Sequence, residues 1–175
     1  MKKSILLLPF LFSFLIDHAQ QALSSNWISK MSPLDSLTMS VERRNAISGL
    51  RRPSKTAPKN ILILSPAAKA TKDQDAQYLG QLEKKEVYKV NTRAVSSKYA
   101  AEAEKNLELL FTKAADKGWV LFFDEANQLF SRSENPQSTA NYIQKLAQSK
   151  NVTTVFWCED DCLTWLKNSR YVLVQ

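Results

Sequence analysis

Short apolar runs separated by longer amphipathic stretches organise this chain. Residues 60–64 form an apolar run closed by Ser65-Pro66 and predict a first core strand. Residues 87–90, 119–123, 152–157 and 171–174 predict four more. Between them the spacing predicts helices over 72–82, 98–117, 139–148 and 163–168, with Asn135-Pro136 breaking the chain before the third. Strict alternation of strand and helix means a parallel sheet covered on both faces, a three-layer α/β fold. The third run is apolar without interruption, as suits a strand buried on both sides, and ligands of such sheets gather at the carboxyl ends of the strands.

Ahead of this region the pattern changes. Lys2-Lys3 precede an apolar stretch from Ile5 to Ile16, followed by polar Asp17-His18-Ala19-Gln20-Gln21-Ala22. That is the layout of a secretory signal peptide over residues 1–19, with 22 as the other cleavage position. The stretch is short for a bilayer span of about 20 residues, so no stable membrane span is expected. Uncut, it would tether the protein to a membrane; cut, it places the protein in the periplasm or outside the cell. Residues 20–58 read as a basic, Ser-rich arm punctuated by Pro33, Pro53 and Pro58, with one helix over 35–50. Arg43-Arg44 and Arg51-Arg52 offer either a basic contact surface or a solvated face. Residues 59–175 form the α/β domain.

Composition narrows the functions open to it. A chain of 175 residues has room for one substantial core, and 44% apolar with 23% charged residues suits a globular domain. The net charge of +7 attracts anions, but no stripe of arginines with interleaved aromatics marks a nucleic-acid binder. His18 is the sole histidine and leaves with the signal peptide, which removes Ser-His and Cys-His nucleophile chemistry from the mature chain. Cys158 and Cys162 are the only cysteines, too few for a four-ligand zinc site; they can form a disulfide or remain free thiols. Trp119, Phe122, Phe123, Phe156 and Trp157 are assigned to the core, whereas Trp27 either docks the arm or marks an interface.

The candidate chemistry sits where the third strand ends, at Asp124-Glu125. Such acids can hold Mg²⁺ and orient an attacking water, or simply cap the next helix. Their neighbourhood is more specific: Ser97-Lys98-Tyr99, then Glu102, Glu104-Lys105-Asn106-Leu107, then the apolar strand, Asp124-Glu125-Ala126 and Leu129-Phe130. Over residues 89–133 this resembles the Walker B region of AAA-type ATPases, with a weaker match over 60–175. The resemblance implies a P-loop NTPase sheet of five parallel strands in order 5-1-4-3-2, here without the C-terminal helical lid. It also implies Asp124 as the Mg²⁺ ligand and Glu125 as its catalytic companion. The phosphate loop would follow Leu64, where the family pattern is G-x-x-x-x-G-K-[ST]; residues 65–73 contain no glycine and retain only Lys69, Thr71 and Lys72 as candidate phosphate contacts. Asp160 falls at the family's sensor position, and Arg170 is what stands near its paired arginines.

The expectation is therefore a degenerate AAA-like domain of an exported protein, a non-hydrolysing binding or scaffold module with an unidentified protein partner, no cofactor, and no ring assembly. The alternative is a residual ATPase that binds Mg-ATP through Asp124, Glu125 and Lys69 or Lys72. Packing the third and fourth strands side by side would also bring Asp124, Glu125, Glu159, Asp160 and Asp161 to one edge, where lysines or a divalent cation must offset their charge.

Overall fold

The computed structural model describes residues 23, 25–33, 39–50, 61–64, 66–158, 164–165 and 171–174. The proposed signal peptide, residues 51–58 of the arm, Glu159, Asp160, Asp161 and Arg170 lie outside them. In chain order the elements are β1 (Ile28–Lys30), α1 (Val41–Leu50), β2 (Ile61–Leu64), a 3₁₀ turn (Pro66–Ala70), α2 (Lys72–Glu83), β3 (Val87–Val90), α3 (Thr92–Val95), α4 (Ala100–Lys117), β4 (Val120–Phe123), α5 (Asn127–Ser131), α6 (Pro136–Ser149), β5 (Thr154–Trp157) and β6 (Tyr171–Val174).

The sheet runs β1-β3-β4-β5-β2-β6. Its last five strands are mutually parallel, and renumbered from β2 they stand in the order 5-1-4-3-2 that the family resemblance implied. A sixth strand, not expected from the sequence, extends this sheet at one edge. β1 comes from the arm and pairs antiparallel with β3, Ile28 opposite Val90 and Lys30 opposite Tyr88. Three residues, two of them Ser29 and Lys30, carry no apolar alternation to detect. What holds the strand is Trp27, packed against the core, and the Asn91 amide donating to the Trp27 carbonyl at 2.8 Å. Trp27 therefore docks the arm.

Helix ends follow local chemistry. Asn135, expected only as part of a break, caps α6 by accepting from the Ser138 amide at 3.0 Å, and Pro136 occupies the first turn, where its missing N–H costs nothing. The helix consequently starts three residues before the expected 139. Of the helix expected over 35–50, Val41–Leu50 is observed and 34–38 lie outside the described residues. Of that expected over 163–168, only 164–165 are described, and they are helical.

Alternating residues of β2, β4 and β5 feed two cores. Ile61, Ile63, Phe123 and Phe156 face α4, α5 and α6, with the Phe123 and Phe156 rings 4.9 Å apart. Leu62, Leu64, Val120, Phe122, Val155 and Trp157 face the side of α1 and α2. There α2 approaches β3 so closely that a Cβ on Gly80 would stand 2.3 Å from Val87 Cγ2. On the same side the arm is tied down: Arg43 of α1 donates through Nε (3.0 Å) and Nη2 (2.6 Å) to the fully buried carboxylate of Asp75 on α2. Arg43 is thus neither a free contact surface nor a solvated charge.

On the other side Lys150 holds Glu108 at 2.7 Å, and the Tyr142 hydroxyl donates to Glu108 at 3.2 Å, joining α4 to α6. The Lys150 hydrogen bond and charge outweigh desolvation and hold the Glu108 carboxyl below its ordinary value. A depressed acid contributes stability that is present above its unfolded pKa and lost as pH falls through the folded value. Glu108→Gln should therefore lower the melting temperature slightly at pH 7 and not at pH 3, measured by circular dichroism.

Candidate functional site

Asp124 follows β4 directly, at the edge where the four-residue apolar strand ends. Its carboxylate is fully engaged by lysines. Lys72, the first residue of α2, donates to one oxygen at 2.6 Å, and Lys89 of the neighbouring strand donates to the other at 3.2 Å. Lys89 also spans both oxygens of Asp73, at 2.8 and 2.9 Å. The Lys72 ammonium rests 3.9 Å from the centroid of the Trp157 ring, a cation-π contact that fixes it on its far side. Desolvation pulls the Lys89 ammonium down, but the hydrogen bond to Asp73 and the charges of Asp124 and Asp73 more than offset it, so its pKa stands above the ordinary lysine value.

Glu125 is arranged differently. It is exposed and held at φ 52°, a left-handed conformation that costs a residue with a Cβ about 1–2 kcal/mol. The turn is pinned from both ends. The Ala126 amide donates to the Trp157 carbonyl at 3.0 Å, the Gln128 amide donates to the Glu125 carbonyl at 3.0 Å, and the Gln128 side chain donates to the Glu125 carboxylate. Asp124 and Glu125 line a cleft of about 260 Å³ with Val90, Asn91, Thr92 and Arg93. Arg93 donates to Gln128, and its own carbonyl accepts from Arg132 at 3.3 Å.

The segment between β2 and α2 is no open loop. Pro66–Ala70 coils into a 3₁₀ turn, and Ala68 packs into the core beneath it. The Thr71 amide donates to the Ala68 carbonyl at 2.9 Å, and the Thr71 hydroxyl donates to Asp75 at 3.1 Å. Lys69 is exposed. Of the three candidate phosphate contacts, Lys72 is thus turned to Asp124, Thr71 to Asp75, and Lys69 to solvent. Among the described residues no group of three His, Cys, Asp or Glu side chains is placed to share a metal ion. Cys158, the first residue past β5, is in a disulfide, and Cys162 is the only other cysteine in the chain.

Sequence reasoning placed Asp124, Glu125 and Lys72 at one edge and missed Lys89. The signal was there: a lysine inside Val87-Tyr88-Lys89-Val90, a strand flanked by others, needs an acidic partner close by. The Arg43–Asp75 pair left no such signal, because the two are 32 residues apart and nothing local joins them.

Comparisons with known proteins agree with this architecture. No curated protein sequence matches the chain. Among solved structures, the FIGL-1 AAA domain in complex with ADP superposes with a TM-score of 0.55 at 16% identity, covering 92% of this chain and 61% of that one. A structure described as the structural basis for katanin self-assembly gives a TM-score of 0.53 at 13% identity, covering 84% of this chain and 56% of that one. The chain therefore spans about three fifths of the length of the structures it resembles, and at such identities the likeness speaks for the fold. The family model for the ATPase family associated with various cellular activities matches residues 67–158, from the 3₁₀ turn through β5. On that match, over more than half its length, the chain belongs to the AAA family.

Proposed function

We propose that this chain is a degenerate AAA domain of an exported protein, acting as a binding or scaffold module for a protein partner and not as an ATP hydrolase. The observation that carries the reading is the pair of ammonium groups on Asp124. They stand where the family resemblance would put Mg²⁺, and an acid already neutralised by two lysines gains little from a hard cation that must first displace them. The segment after β2 supports it as well. A phosphate loop needs glycines so that successive amides can turn inward, whereas here Ala68 fills that ground and the Thr71 amide is spent on Ala68. The residues present thus do not fit a Mg-phosphate group. Export is supported by the signal-peptide layout of the first 22 residues and by the disulfide of Cys158, a bond that persists in oxidising compartments.

A residual ATPase is the second reading, favoured by the strained backbone of Glu125, since strain of this kind gathers at functional sites. Titration of the purified protein with a fluorescent ATP analogue in excess Mg²⁺ separates the two. The proposal expects no saturable signal up to millimolar nucleotide; micromolar binding that requires Mg²⁺ and is lost in Asp124→Asn would overturn it. The mass of the mature N-terminus tests export, with cleavage after residue 19 or 22 as the expected result.

A further inference from the structure

A second concave surface lies at the opposite pole of the sheet. Val87 opens β3 level with Val120, whereas Asp124 follows Phe123 at the other end of the same parallel pair, about 13 Å away along the strands. There the chain leaving β1 is strapped across the end of the sheet: the Met31 amide donates to the Val87 carbonyl at 2.9 Å, and the Gln77 side chain donates to the Ser32 carbonyl at 2.7 Å. A groove of about 270 Å³ lies between strap and helix, with Met31, Pro33 and Val87 among the residues that line it. Lys30, Lys84 and Lys85 stand on its rim.

We propose that this groove is a docking site for an acidic peptide segment of a protein partner, with one apolar side chain of that segment seated on the floor. Size selects the occupant. Ligand pockets for small molecules run from about 300 to 1,000 Å³, so this groove suits a single large side chain better than a cofactor. Charge selects it further. Lys30 is paired with Glu86 across an exposed contact and Lys85 with Glu83 at 3.1 Å, while Lys84 makes no ion pair among the described residues. The Glu86 carboxylate beside the groove repels the continuous phosphates of a nucleic acid, but a peptide acid can reach Lys84 and compete for Lys30. Lys84 also occupies the left-handed cap of α2, at φ 55°, where Gly or Asn is the usual residue. A lysine held there at a conformational cost has its side chain projected beside the groove.

This deepens the binding-module reading and is independent of the nucleotide question, because its test leaves the Asp124 edge untouched. The probe is a fluorescein-labelled octapeptide of aspartates and glutamates around one central phenylalanine, followed by anisotropy at low salt. Saturable binding is expected, weakened at least threefold by Lys84→Glu and again by Lys30→Glu, and lost when the peptide phenylalanine is replaced by serine. Both variants change exposed side chains, and an unaltered melting curve confirms their fold. No binding by the wild type, equal binding by all three proteins, or binding of the serine peptide as tight as the parent would each overturn the proposal. So would concentration-dependent self-association of the protein that Lys84→Glu abolishes, since the occupant would then be a second copy.

Discussion

Arg43→Met destabilises the protein by about 3–5 kcal/mol, the range for removing one partner of a buried ion pair, and lowers its melting temperature by roughly 10 °C. The Asp75 side chain is fully buried, so without Arg43 its charge keeps, among the described residues, only the Thr71 hydroxyl, a neutral donor. Two hydrogen bonds to a planar guanidinium are lost together, at 3.0 and 2.6 Å. The double variant Arg43→Met with Asp75→Leu should recover most of the loss, because an apolar pair of similar volume avoids the desolvation of both charges. Thermal melts of the two single variants and the double give the coupling energy directly. A loss under about 1 kcal/mol in Arg43→Met would mean that the arm is not anchored through this pair. The prediction reaches beyond stability, since α1 and β1 together are what bring the arm onto the AAA sheet, and the strap over the basic groove continues from β1.

That anchoring was invisible before the structure, for a physical reason. The parallel sheet was legible because burial on both faces forces unbroken apolar runs such as Val120–Phe123, and alternation with helices then fixes their parallel arrangement. The strand order itself came from the AAA resemblance. β1 left no trace because a short edge strand closing on one neighbour needs no apolar period, only backbone partners and one docked tryptophan. At the candidate site the acids declared themselves by position at a strand end, and the absence of glycine from residues 65–73 excluded a standard phosphate loop. What occupies that ground instead, a 3₁₀ turn with an alanine in the core, depends on packing between distant segments. So does the destination of Lys72. Its sequence position allowed a phosphate contact or an ion pair equally, and only the distance to Asp124 chooses between them.

Asp124→Asn should cost about 2 kcal/mol, the scale of hydrogen bonds to a charged group, and the sign matters more than the size. A metal-binding acid that has no cationic side chain beside it is relieved of repulsion when it is neutralised in the empty protein, so stability rises or stays level. Here the same substitution strips two lysines of their shared counter-charge. Lys72 is left partly buried against Trp157, and Lys89 keeps only Asp73, whose side chain is half exposed. Lys72→Met should cost less, because Lys89 still neutralises Asp124, and the cycle of Lys72→Met with Asp124→Asn should show a favourable coupling of about 1 kcal/mol or more. The pH dependence follows from Lys89. Its pKa is raised in the folded protein, so its contribution is complete below the unfolded value of 10.5 and disappears as pH rises through the folded one. The gap between wild type and Asp124→Asn should therefore be constant from pH 7 to 9 and narrow as the pH rises past 10.5. If Asp124→Asn instead melts higher than the wild type, the lysines are not the intrinsic partners of this carboxylate, and the site belongs to a cation that the protein binds in use.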